Sequence, residues 1–242
     1  MIAFEAGLAQ ILAKTLEPEF ESISLNKALG RITAAQQIAA IDVPSVDNSA
    51  MDGYAVRCAD FARGNTFTVS QRIAAGDLAR ALEPGSVARI FTGAMIPAGA
   101  DAVILQEDSQ SLVESSQVTF TETPSLGQHI RLAGQDIQCQ SEVVAKGHRL
   151  SAGDIGLLAS VGVSKLQCYR PLTVAFFSTG DELKDPEQGL EPGQIYNSNR
   201  YFLAAKIAEC GAIPLDLGRC PDLSLIHISE PTRPERISYS VV

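Results

Sequence analysis

A continuous apolar run over residues 172–177 most constrains the fold of this 242-residue chain. Its letters, LTVAFF, lack polar alternation, which is typical of a parallel strand buried on both faces. Helical spacing then predicts a helix over 199–210 that Gly211 ends, followed by a second strand over 213–217. These elements predict one right-handed βαβ unit. Two strands and one helix cannot cover both faces of a parallel sheet, so we expect further strands to complete it.

The middle of the chain, residues 47–134, has a different pattern. Short β-type runs alternate with turn signals such as Pro84-Gly85 and Ala98-Gly99. The predicted strands cover 66–71, 86–92, 102–106 and 117–121. This pattern predicts a compact, strand-rich domain that is inserted into the chain.

The segments on either side of this inserted domain mix helical and extended patterns. Apolar spacing predicts an amphipathic helix over 3–16, and Ser24 and Ser151 are candidate N-caps of two short helices, through Leu29 and over 152–160. The stretch SEVVAKGHRL resembles a hairpin that turns at Lys146-Gly147. We expect 1–46 and 135–168 to pack together as one discontinuous α+β domain.

The predicted fold class is therefore α/β multidomain. It consists of the discontinuous N-terminal domain, the inserted strand-rich domain over 47–134 and an incomplete, doubly wound parallel α/β domain over 169–222. Residues 223–242 show no sustained period, contain Pro231 and Pro234, and resemble the translated read-through of a sequencing adapter. We expect them to be a non-native tail, with a genuine disordered tail as the alternative.

Charge and composition exclude several classes of partner. The net charge is −9 and there is no Lys/Arg cluster, which argues against nucleic acid. No apolar stretch approaches the roughly 18 residues of a membrane span, and the N-terminus lacks the basic start of a secretory signal. We expect a cytoplasmic protein without membrane contact. An acidic protein can still bind a phosphate ligand when Mg²⁺ bridges carboxylates and phosphate oxygens.

The first motif with chemical potential is DVPSVDNSAMDGYAVR, over residues 42–57. Asp47-Asn48-Ser49 has the short polar side chains of a turn. Asp52-Gly53 lets the backbone approach another group closely while a carboxylate projects beside it. Ser49 and Asp52 thus offer a hydrogen bond and a metal ligand. The alternative is a tight inter-domain turn.

Two further motifs follow in the strand-rich domain. In RIFTGAMIPAGADAVILQED, Thr92-Gly93-Ala94 leaves a predicted strand with amides and a hydroxyl that suit an anion. The alternative is an ordinary connection. In RLAGQDI, Asp136 follows Gly134 where the pattern changes, so it is a candidate for a pocket at a domain junction. The alternative is a cap or turn.

The fourth motif, STGDEL, lies at the carboxyl end of the apolar strand, where open α/β sheets bind ligands. Thr179 and Gly180 offer donors, and Asp181 and Glu182 offer carboxylates. Asn199 stands at the start of the next helix, a position that favours anions. The alternative is a plain loop. No Rossmann glycine pattern or P-loop is present.

The four motifs, in this order and spacing, resemble the molybdopterin molybdenumtransferase family, which includes bacterial MoeA proteins and the E domain of gephyrin. The resemblance covers residues 3–222. It implies molybdenum cofactor biosynthesis, in which adenylylated molybdopterin receives molybdate and AMP is released, with Mg²⁺ as cofactor. It also implies an elongated homodimer that associates through the discontinuous N-terminal domain. The site then lies between the third domain of one subunit and the second domain of the other.

The resemblance also implies site residues. Four lie at family positions implicated in activity: Asp52, Thr92, Asp136 and Glu182. Asp52 and Glu182 are the candidate Mg²⁺ ligands. Candidate substrate contacts are Ser49, Thr179, Gly180, Asp181 and Asn199.

The sequence also departs from the family pattern. Gln135 replaces the usual Glu, and Arg131 is the one arginine left where the family has more. The family's later glycine-rich and Pro-Gly-x-Pro motifs and its final β domain are missing, so we expect this chain alone to be inactive. A non-catalytic dimeric scaffold is the alternative function, but the retained acids favour an enzyme. An unrelated Mg²⁺-dependent phosphoester enzyme is a third interpretation, which the specificity of the first motif disfavours.

Overall fold

The computed structural model describes residues 2–15, 18–112 and 116–220. The predicted tail over 223–242 and the end of the predicted helix at residue 16 lie outside these ranges. Contacts divide the chain into two compact units. The first, which we call the sheet unit, is residues 22–168; the second, the βαβ unit, comprises the described residues of 2–21 and 169–220. Helices and mixed sheets occur together, as the predicted α/β multidomain class requires.

The described residues form three α-helices and sixteen strands, with three short 3₁₀ turns between them. The first elements along the chain are α1 (Phe4–Leu12), β1 (Phe20–Ser24), β2 (Gln37–Ile38), β3 (Asn48–Ser49), β4 (Gly53–Val56), β5 (Thr66–Ile73), β6 (Ser86–Ile90) and β7 (Ala102–Leu105). Next are β8 (Ser109–Leu112), β9 (Gln117–Phe120), β10 (Ile130–Arg131), β11 (Glu142–Val144), α2 (Ala152–Ser160) and β12 (Lys165–Tyr169). The last are β13 (Thr173–Thr179), β14 (Leu183–Lys184), β15 (Ile195–Tyr196), α3 (Ser198–Glu209) and β16 (Ile213–Cys220).

A six-stranded sheet dominates the sheet unit, in the order β7-β4-β6-β5-β9-β8. Only β5 and β6 run parallel; the other neighbours are antiparallel. The four strands predicted in this region are confirmed with small changes of boundary. The sequence did not predict β4, although all four of its residues are buried.

Each face of this sheet buries its own apolar cluster, because side chains alternate between the faces along a strand. Tyr54 and Val56 of β4 belong to one cluster, which also contains Phe67 and Phe120. Ala55 belongs to the other, with its neighbours on β5, β6 and β7. The sheet is therefore covered on both sides around β4, which fixes the position of the residues that immediately precede it.

A third cluster joins the two segments that flank the six-stranded sheet. Ala28 packs there with Val144, Leu150, Leu158 and Cys168. The hydroxyl of Thr33, which is fully buried, donates to the carbonyl of Ala145 at 2.7 Å. Residues 22–39 and 141–168 thus share one core, although about a hundred residues separate them along the chain.

The predicted hairpin in SEVVAKGHRL is wrong. The turn exists, with Gly147 at φ 82°, but β11 pairs antiparallel with β2, and Arg149 bridges to Ile32. Strand alternation indicates which residues are extended but does not identify the partner strand. Here the partner is the distant extended segment of residues 31–39.

Of the two predicted N-caps, Ser151 caps its helix, whereas the Ser24 side chain makes no capping hydrogen bond. The Ser151 hydroxyl accepts from the Asp154 N–H at 3.3 Å, and Asp154 Oδ2 accepts from the Ser151 N–H at 2.7 Å, so α2 begins with a capping box. Gly162, at φ 82°, follows its end as predicted. The Ser24 helix is a single 3₁₀ turn, Leu25–Lys27. Helix α1 ends at Leu12, earlier than predicted, and buries none of its side chains.

In the βαβ unit, β13 pairs parallel with β16, and α3 lies between them in the chain, as predicted. The predicted burial of β13 is not met: Phe176 is its one buried side chain among the described residues, and Phe177 is 54% exposed. A two-stranded sheet leaves most of its surface open, whatever the apolar character of its sequence. The loop after β13 contains the short parallel pair β14–β15. No helix in the described part of the chain has the length and apolar character of a membrane span.

Candidate functional site

Three of the four sequence motifs converge on the turn at residues 47–52. The Asp47 carbonyl accepts from the Ile96 N–H at 2.9 Å, and its carboxylate accepts from the Ala133 N–H at 2.8 Å. The Ser49 carbonyl accepts from the Gly93 N–H at 2.8 Å. In addition, β3 in this turn pairs with β10 at the start of the third motif. The first motif therefore holds the second and third in place through backbone hydrogen bonds and through the Asp47 carboxylate.

Asp52 projects from this turn and is held by Thr92. Its Oδ1 accepts from the Thr92 N–H at 2.8 Å and from the Thr92 hydroxyl at 2.7 Å. These two hydrogen bonds, and then the charge of Arg89, lower the pKa of Asp52 below its ordinary value. Asp52 is exposed and ionised at neutral pH. The donors of Thr92, which the sequence assigned to an external anion, thus hold the protein's own carboxylate.

Arg89 supports the same turn from β6. Its Nη1 donates to the Gly53 carbonyl at 2.6 Å, and its Nη2 donates to Oε1 of Gln106. The Gln106 N–H in turn donates to the Asp52 carbonyl at 3.1 Å. The guanidinium therefore supports the backbone on both sides of the Cα of Gly53, directly at the Gly53 carbonyl and through Gln106 at the Asp52 carbonyl, without a hydrogen bond to the Asp52 carboxylate.

Gly53 follows Asp52 because no side chain fits there. A Cβ at this position would lie 1.9 Å from the carbonyl oxygen of Ile104 on the neighbouring strand β7. The sequence predicted a close backbone approach beside a projecting carboxylate, and the approach is to Ile104. Gly53 thus lets β4 start at full pairing distance immediately after the carboxylate.

Ser49 has a structural role in the turn. Its side chain is buried, its hydroxyl donates to the Met51 carbonyl at 2.6 Å, and the Met51 N–H donates back to it at 3.3 Å. This is the local side chain-to-backbone bonding typical of serine in turns. Ser49 therefore shapes the loop that carries Asp52.

Asp136 forms an ion pair with Arg131. Arg131 Nη2 lies 2.5 Å from Asp136 Oδ2, and both side chains are about half exposed. The Asp136 N–H donates to the Val43 carbonyl at 2.9 Å. Asp136 also borders a cavity of about 370 Å³ whose wall includes Ile137 and Leu157. In the described part of the chain, no hydrogen bond or ion pair joins Asp136 to Asp52 or Thr92.

The fourth motif forms a tight loop at the end of β13. Thr179 is the last residue of that strand and is exposed, and Gly180 has φ 136°, a conformation that favours glycine. A Cβ on Gly180 would lie 2.8 Å from both carboxylate oxygens of Glu182. Asp181 and Glu182 are both exposed. The Glu182 carboxylate thus folds over the backbone of Gly180.

Arg219 of β16 holds this loop. Its Nη1 donates to the carbonyls of Asp181, at 3.3 Å, and of Leu183, at 2.8 Å, on either side of Glu182. The Glu182 carbonyl accepts from the Ile195 N–H at 2.9 Å, which ties the loop to β15. The backbone around Glu182 is therefore anchored while its carboxylate stays exposed.

Asn199 lies in the first turn of α3 and is exposed, but it is not the cap. The cap is Asn197, which is 4% exposed and accepts from the Arg200 N–H at 3.2 Å. The Arg200 guanidinium lies 2.7 Å from Asp185 Oδ1 and 2.6 Å from Asp216 Oδ2. These bonds raise the pKa of Arg200 and, on the other side, lower the pKa of Asp216. They fix the start of α3 and the loop before it.

The candidate residues thus fall into two groups, each within one compact unit. The sheet unit contains Ser49, Asp52, Thr92 and Asp136; the βαβ unit contains Thr179, Gly180, Asp181, Glu182 and Asn199. Among the described residues, no cluster of three or more His, Cys, Asp or Glu side chains is arranged to hold a metal ion. Any Mg²⁺ at Asp52 therefore needs further oxygen ligands from elsewhere, which is usual for Mg²⁺ that binds with substrate phosphates.

Sequence reasoning missed the residues that position these carboxylates. Arg89 interrupts a buried apolar strand, a pattern that is unusual unless the charge has a specific partner. Arg219 has no such signal, because its partners are backbone carbonyls 36 and 38 residues away.

The fold and these residues define a class: an acidic α/β protein in which three polar motifs meet beside a six-stranded sheet and a fourth follows a parallel strand in a separate compact unit. A family model described as the MoeA N-terminal region (domain I and II) matches residues 2–162. The chain belongs to this family.

Several curated relatives have the name molybdopterin molybdenumtransferase. The Haemophilus influenzae protein is 40% identical over 224 residues, which are 92% of this chain and 55% of that protein. The Nostoc protein is 39% identical over 85% of this chain and 48% of its own length. The Bacillus subtilis protein is 36% identical over 84% and 49%. The chain thus spans about half the length of the curated relatives it matches.

Solved structures agree with this assignment. A crystal structure of a molybdopterin biosynthesis MoeA protein from Pyrococcus horikoshii matches with a TM-score of 0.82 at 33% identity, over 91% of this chain and 57% of that chain. A second structure of that name matches with a TM-score of 0.77 at 29% identity, over 86% and 56%.

Proposed function

We propose that this chain acts in molybdenum cofactor biosynthesis, in the insertion of molybdate into adenylylated molybdopterin with release of AMP. The observation that carries the proposal is the ionised Asp52 carboxylate, which Thr92 clamps at 2.8 and 2.7 Å, in a chain whose relatives are named molybdopterin molybdenumtransferase. We place the reaction in the cytoplasm.

In this proposal Asp52 is a ligand of Mg²⁺. Thr92 occupies Oδ1, and within the described residues Oδ2 has no hydrogen-bond partner, so it is available to a cation. Mg²⁺ is commonly held by one or two carboxylates together with substrate phosphates, which fits an exposed carboxylate outside any metal cluster. When bound there, Mg²⁺ neutralises charge on the phosphoanhydride that breaks. The Thr92 bonds keep Asp52 charged and fixed for that contact.

The other acids and loops have proposed roles as well. Asp136 and Glu182 act with Asp52 and Thr92, and Glu182 is the second Mg²⁺ ligand. Its exposed carboxylate and anchored backbone support this role. We propose that the substrate contacts Thr179, Gly180, Asp181 and Asn199, with Ser49 contributing through the turn that it shapes.

The proposal includes three domains: 1–46 with 135–168, 47–134, and 169–222. The shared core of 22–39 with 141–168, and the confinement of the six-stranded sheet to 53–120, support the first two. It also includes a homodimer. The apolar side chains on α1, such as Phe4 at 79% exposure and Ile11 at 66%, offer a surface for association. Light scattering of the purified chain tests this, and a monomer at all concentrations contradicts it.

AMP release tests the reaction. The chain, extended to the length of its relatives, is mixed with adenylylated molybdopterin, molybdate and Mg²⁺, and AMP is quantified over time. We expect Asp52→Ala to reduce release by at least about a hundredfold, because removing a charge-stabilising group commonly has that effect on turnover.

The matched control is Glu107→Ala, which removes an exposed carboxylate from the same unit without removing a side-chain hydrogen bond in the described structure. The control should release AMP at the unaltered rate. Undiminished release by Asp52→Ala would remove Asp52 from the site and favour a scaffold. The 242-residue chain itself should release no AMP, since it spans about half the length of its relatives.

A further inference from the structure

Two arginines lie side by side on the six-stranded sheet, next to Asp52 and Thr92. Arg72 of β5 and Arg89 of β6 are direct register partners on neighbouring parallel strands, about 4.8 Å apart in such sheets. Ile73 and Ile90, the next pair, are buried in the cluster on the opposite face. Both arginines therefore project from the same face of the sheet.

Phe91 orders both guanidinium groups. The Arg72 Cζ lies 4.4 Å from the centre of the Phe91 ring, and the Arg89 Cζ lies 4.6 Å from it. Arg89 also lies 5.2 Å from the Tyr54 ring. These cation–π contacts hold both charges in place, that of the exposed Arg72 and that of the half-buried Arg89. This order reduces the conformational entropy that a ligand would have to remove. Since Phe91 precedes Thr92, the two charges lie beside the hydrogen bonds between Thr92 and the Asp52 carboxylate.

Among the described residues, no carboxylate hydrogen-bonds or ion-pairs with either guanidinium, and Asp52 acts on Arg89 through its charge alone. Like charges that lie directly opposite each other on neighbouring strands destabilise a sheet. Arg89 makes its hydrogen bonds to the Gly53 and Ile90 carbonyls and to Gln106, all of them uncharged. Within the described residues, the Arg72 guanidinium has neither a hydrogen bond nor an ion pair, although the chain carries 28 acidic residues.

We propose that Arg72 and Arg89, ordered by Phe91, form a subsite for the phosphate group of a small organic phosphate. A planar guanidinium fork matches phosphate oxygens, and a second positive charge beside it favours a dianion over a single carboxylate. Arg72 offers the fork, whereas Arg89, whose Nη1 and Nη2 already donate to uncharged acceptors, contributes its charge. A nucleic acid would need a longer basic track than two residues. The subsite rests on the proposed function in one respect: the phosphoanhydride of the adenylylated substrate is the group that would lie there, within reach of Asp52.

Binding of inorganic pyrophosphate and of AMP to the 242-residue chain tests the subsite. Titration calorimetry gives the affinities, and amide NMR spectra locate the site. We expect pyrophosphate to bind more tightly than AMP, to shift the amides of Phe91 and Thr92, and to lose affinity as salt rises. Arg72→Gln should weaken pyrophosphate binding about tenfold, which is about 1.4 kcal/mol. Arg72→Lys should bind with intermediate affinity, because it keeps the charge and loses the fork.

Arg63→Gln is the matched control. It removes one positive charge from another exposed position of the sheet unit and should leave the pyrophosphate affinity unchanged. The amide spectrum of each variant shows whether the fold is retained. Equal pyrophosphate affinity in the wild type, Arg72→Gln and Arg63→Gln would overturn the subsite. An equal loss of pyrophosphate affinity in the two Gln variants would overturn it as well. Absence of pyrophosphate binding to the wild-type chain would also overturn it.

The failure of the subsite and the failure of the proposed function can be distinguished. If Arg72→Gln binds pyrophosphate as wild type does, the subsite is wrong even where Asp52→Ala abolishes AMP release. If Arg72→Gln loses binding but Asp52→Ala releases AMP normally, the subsite stands and the proposed function fails.

Discussion

At the scale of single residues, Gly53 is the position where the smallest change has the largest expected effect. A Cβ there would lie 1.9 Å from the Ile104 carbonyl oxygen, a backbone atom that cannot turn away as a side chain can. Gly53→Ala must therefore push β4 away from β7, and both strands are buried. We expect the free energy of unfolding to fall by about 3 kcal/mol or more, measured by urea denaturation.

Gly156→Ala is the control for this substitution. Gly156 lies in α2 of the same unit, and a Cβ there would meet nothing within 4 Å. Alanine is the better helix former, so this variant should gain about 0.5–1 kcal/mol. Equal effects of the two substitutions would show that the approach of Ile104 to Gly53 does not constrain the fold.

The sequence predicted some residues of the site well and others not at all. The pairing of a projecting carboxylate with a glycine at 52–53 was visible, because both properties are local. The hydrogen bonds from Thr92 to Asp52 were not visible in the sequence, since Thr92 is 40 residues away and its donors were assigned to an external anion. The sequence placed Asn199 at the helix start and overlooked Asn197, because a local pattern does not show which side chain accepts the N–H of Arg200.

At the scale of elements, the capping box of α2 gives the chain a pH-dependent contact. The Ser151 hydroxyl, the Ser151 N–H and His148 hydrogen-bond to Asp154 and lower its pKa to about 2, from 3.8. Between these two pH values Asp154 is protonated in the unfolded chain but remains ionised in the folded chain. The contribution of Asp154 to stability is therefore fully present above pH 3.8 and is lost as the pH falls towards 2.

Asp154→Asn tests this dependence. At pH 6 the variant should be less stable than the wild-type chain to urea, and the difference should shrink as the pH falls from about 4 to about 2, where the wild-type carboxyl becomes neutral too. Glu107→Gln, at an exposed position of a 3₁₀ turn in the same unit, should follow the wild-type pH profile. A difference that stayed constant down to pH 2 would contradict the lowered pKa of Asp154.

The loop that carries Glu182 depends on one side chain from another element. Arg219→Ala removes both hydrogen bonds from β16 to the carbonyls of Asp181 and Leu183. The amides of Ile195 and Asn197, which donate to carbonyls in this loop, should then exchange with deuterium about tenfold faster. Arg170→Ala, which removes an exposed ion pair with Glu19 in the same unit, should not change them. Unchanged exchange in Arg219→Ala would show that β14 and β15 hold the loop without it.

Elements were predictable where their signals are local and periodic. Capping predicted α2, and β-type runs predicted β5, β6, β7 and β9. Strand β4 was missed because its four residues, GYAV, are too short for a period, and the turn chemistry before them dominates the pattern. The hairpin at 141–150 was wrong because pairing depends on a segment about a hundred residues away in the chain.

At the scale of the whole molecule, the apolar core is distributed unequally between the two units. All three buried clusters lie in the sheet unit. In the described part of the βαβ unit, Phe176 is the one buried apolar side chain, at 8% exposure, while Phe202 and Leu217 are at least 60% exposed. Burial of apolar surface is the main source of folding stability, so the two units should differ strongly in local stability.

Hydrogen exchange of the intact chain measures this difference. Amides in β4 and β6 should be the slowest to exchange, and amides in β13 and β16 should exchange at least about a hundredfold faster, because the two-stranded sheet opens without exposing a large core. The measurement should be repeated over a range of protein concentrations. Protection of β13 that rises with concentration would indicate that association covers the exposed strand. Protection of β13 equal to that of β6 at every concentration would contradict the prediction, since it would require stability that the described packing of the βαβ unit does not supply.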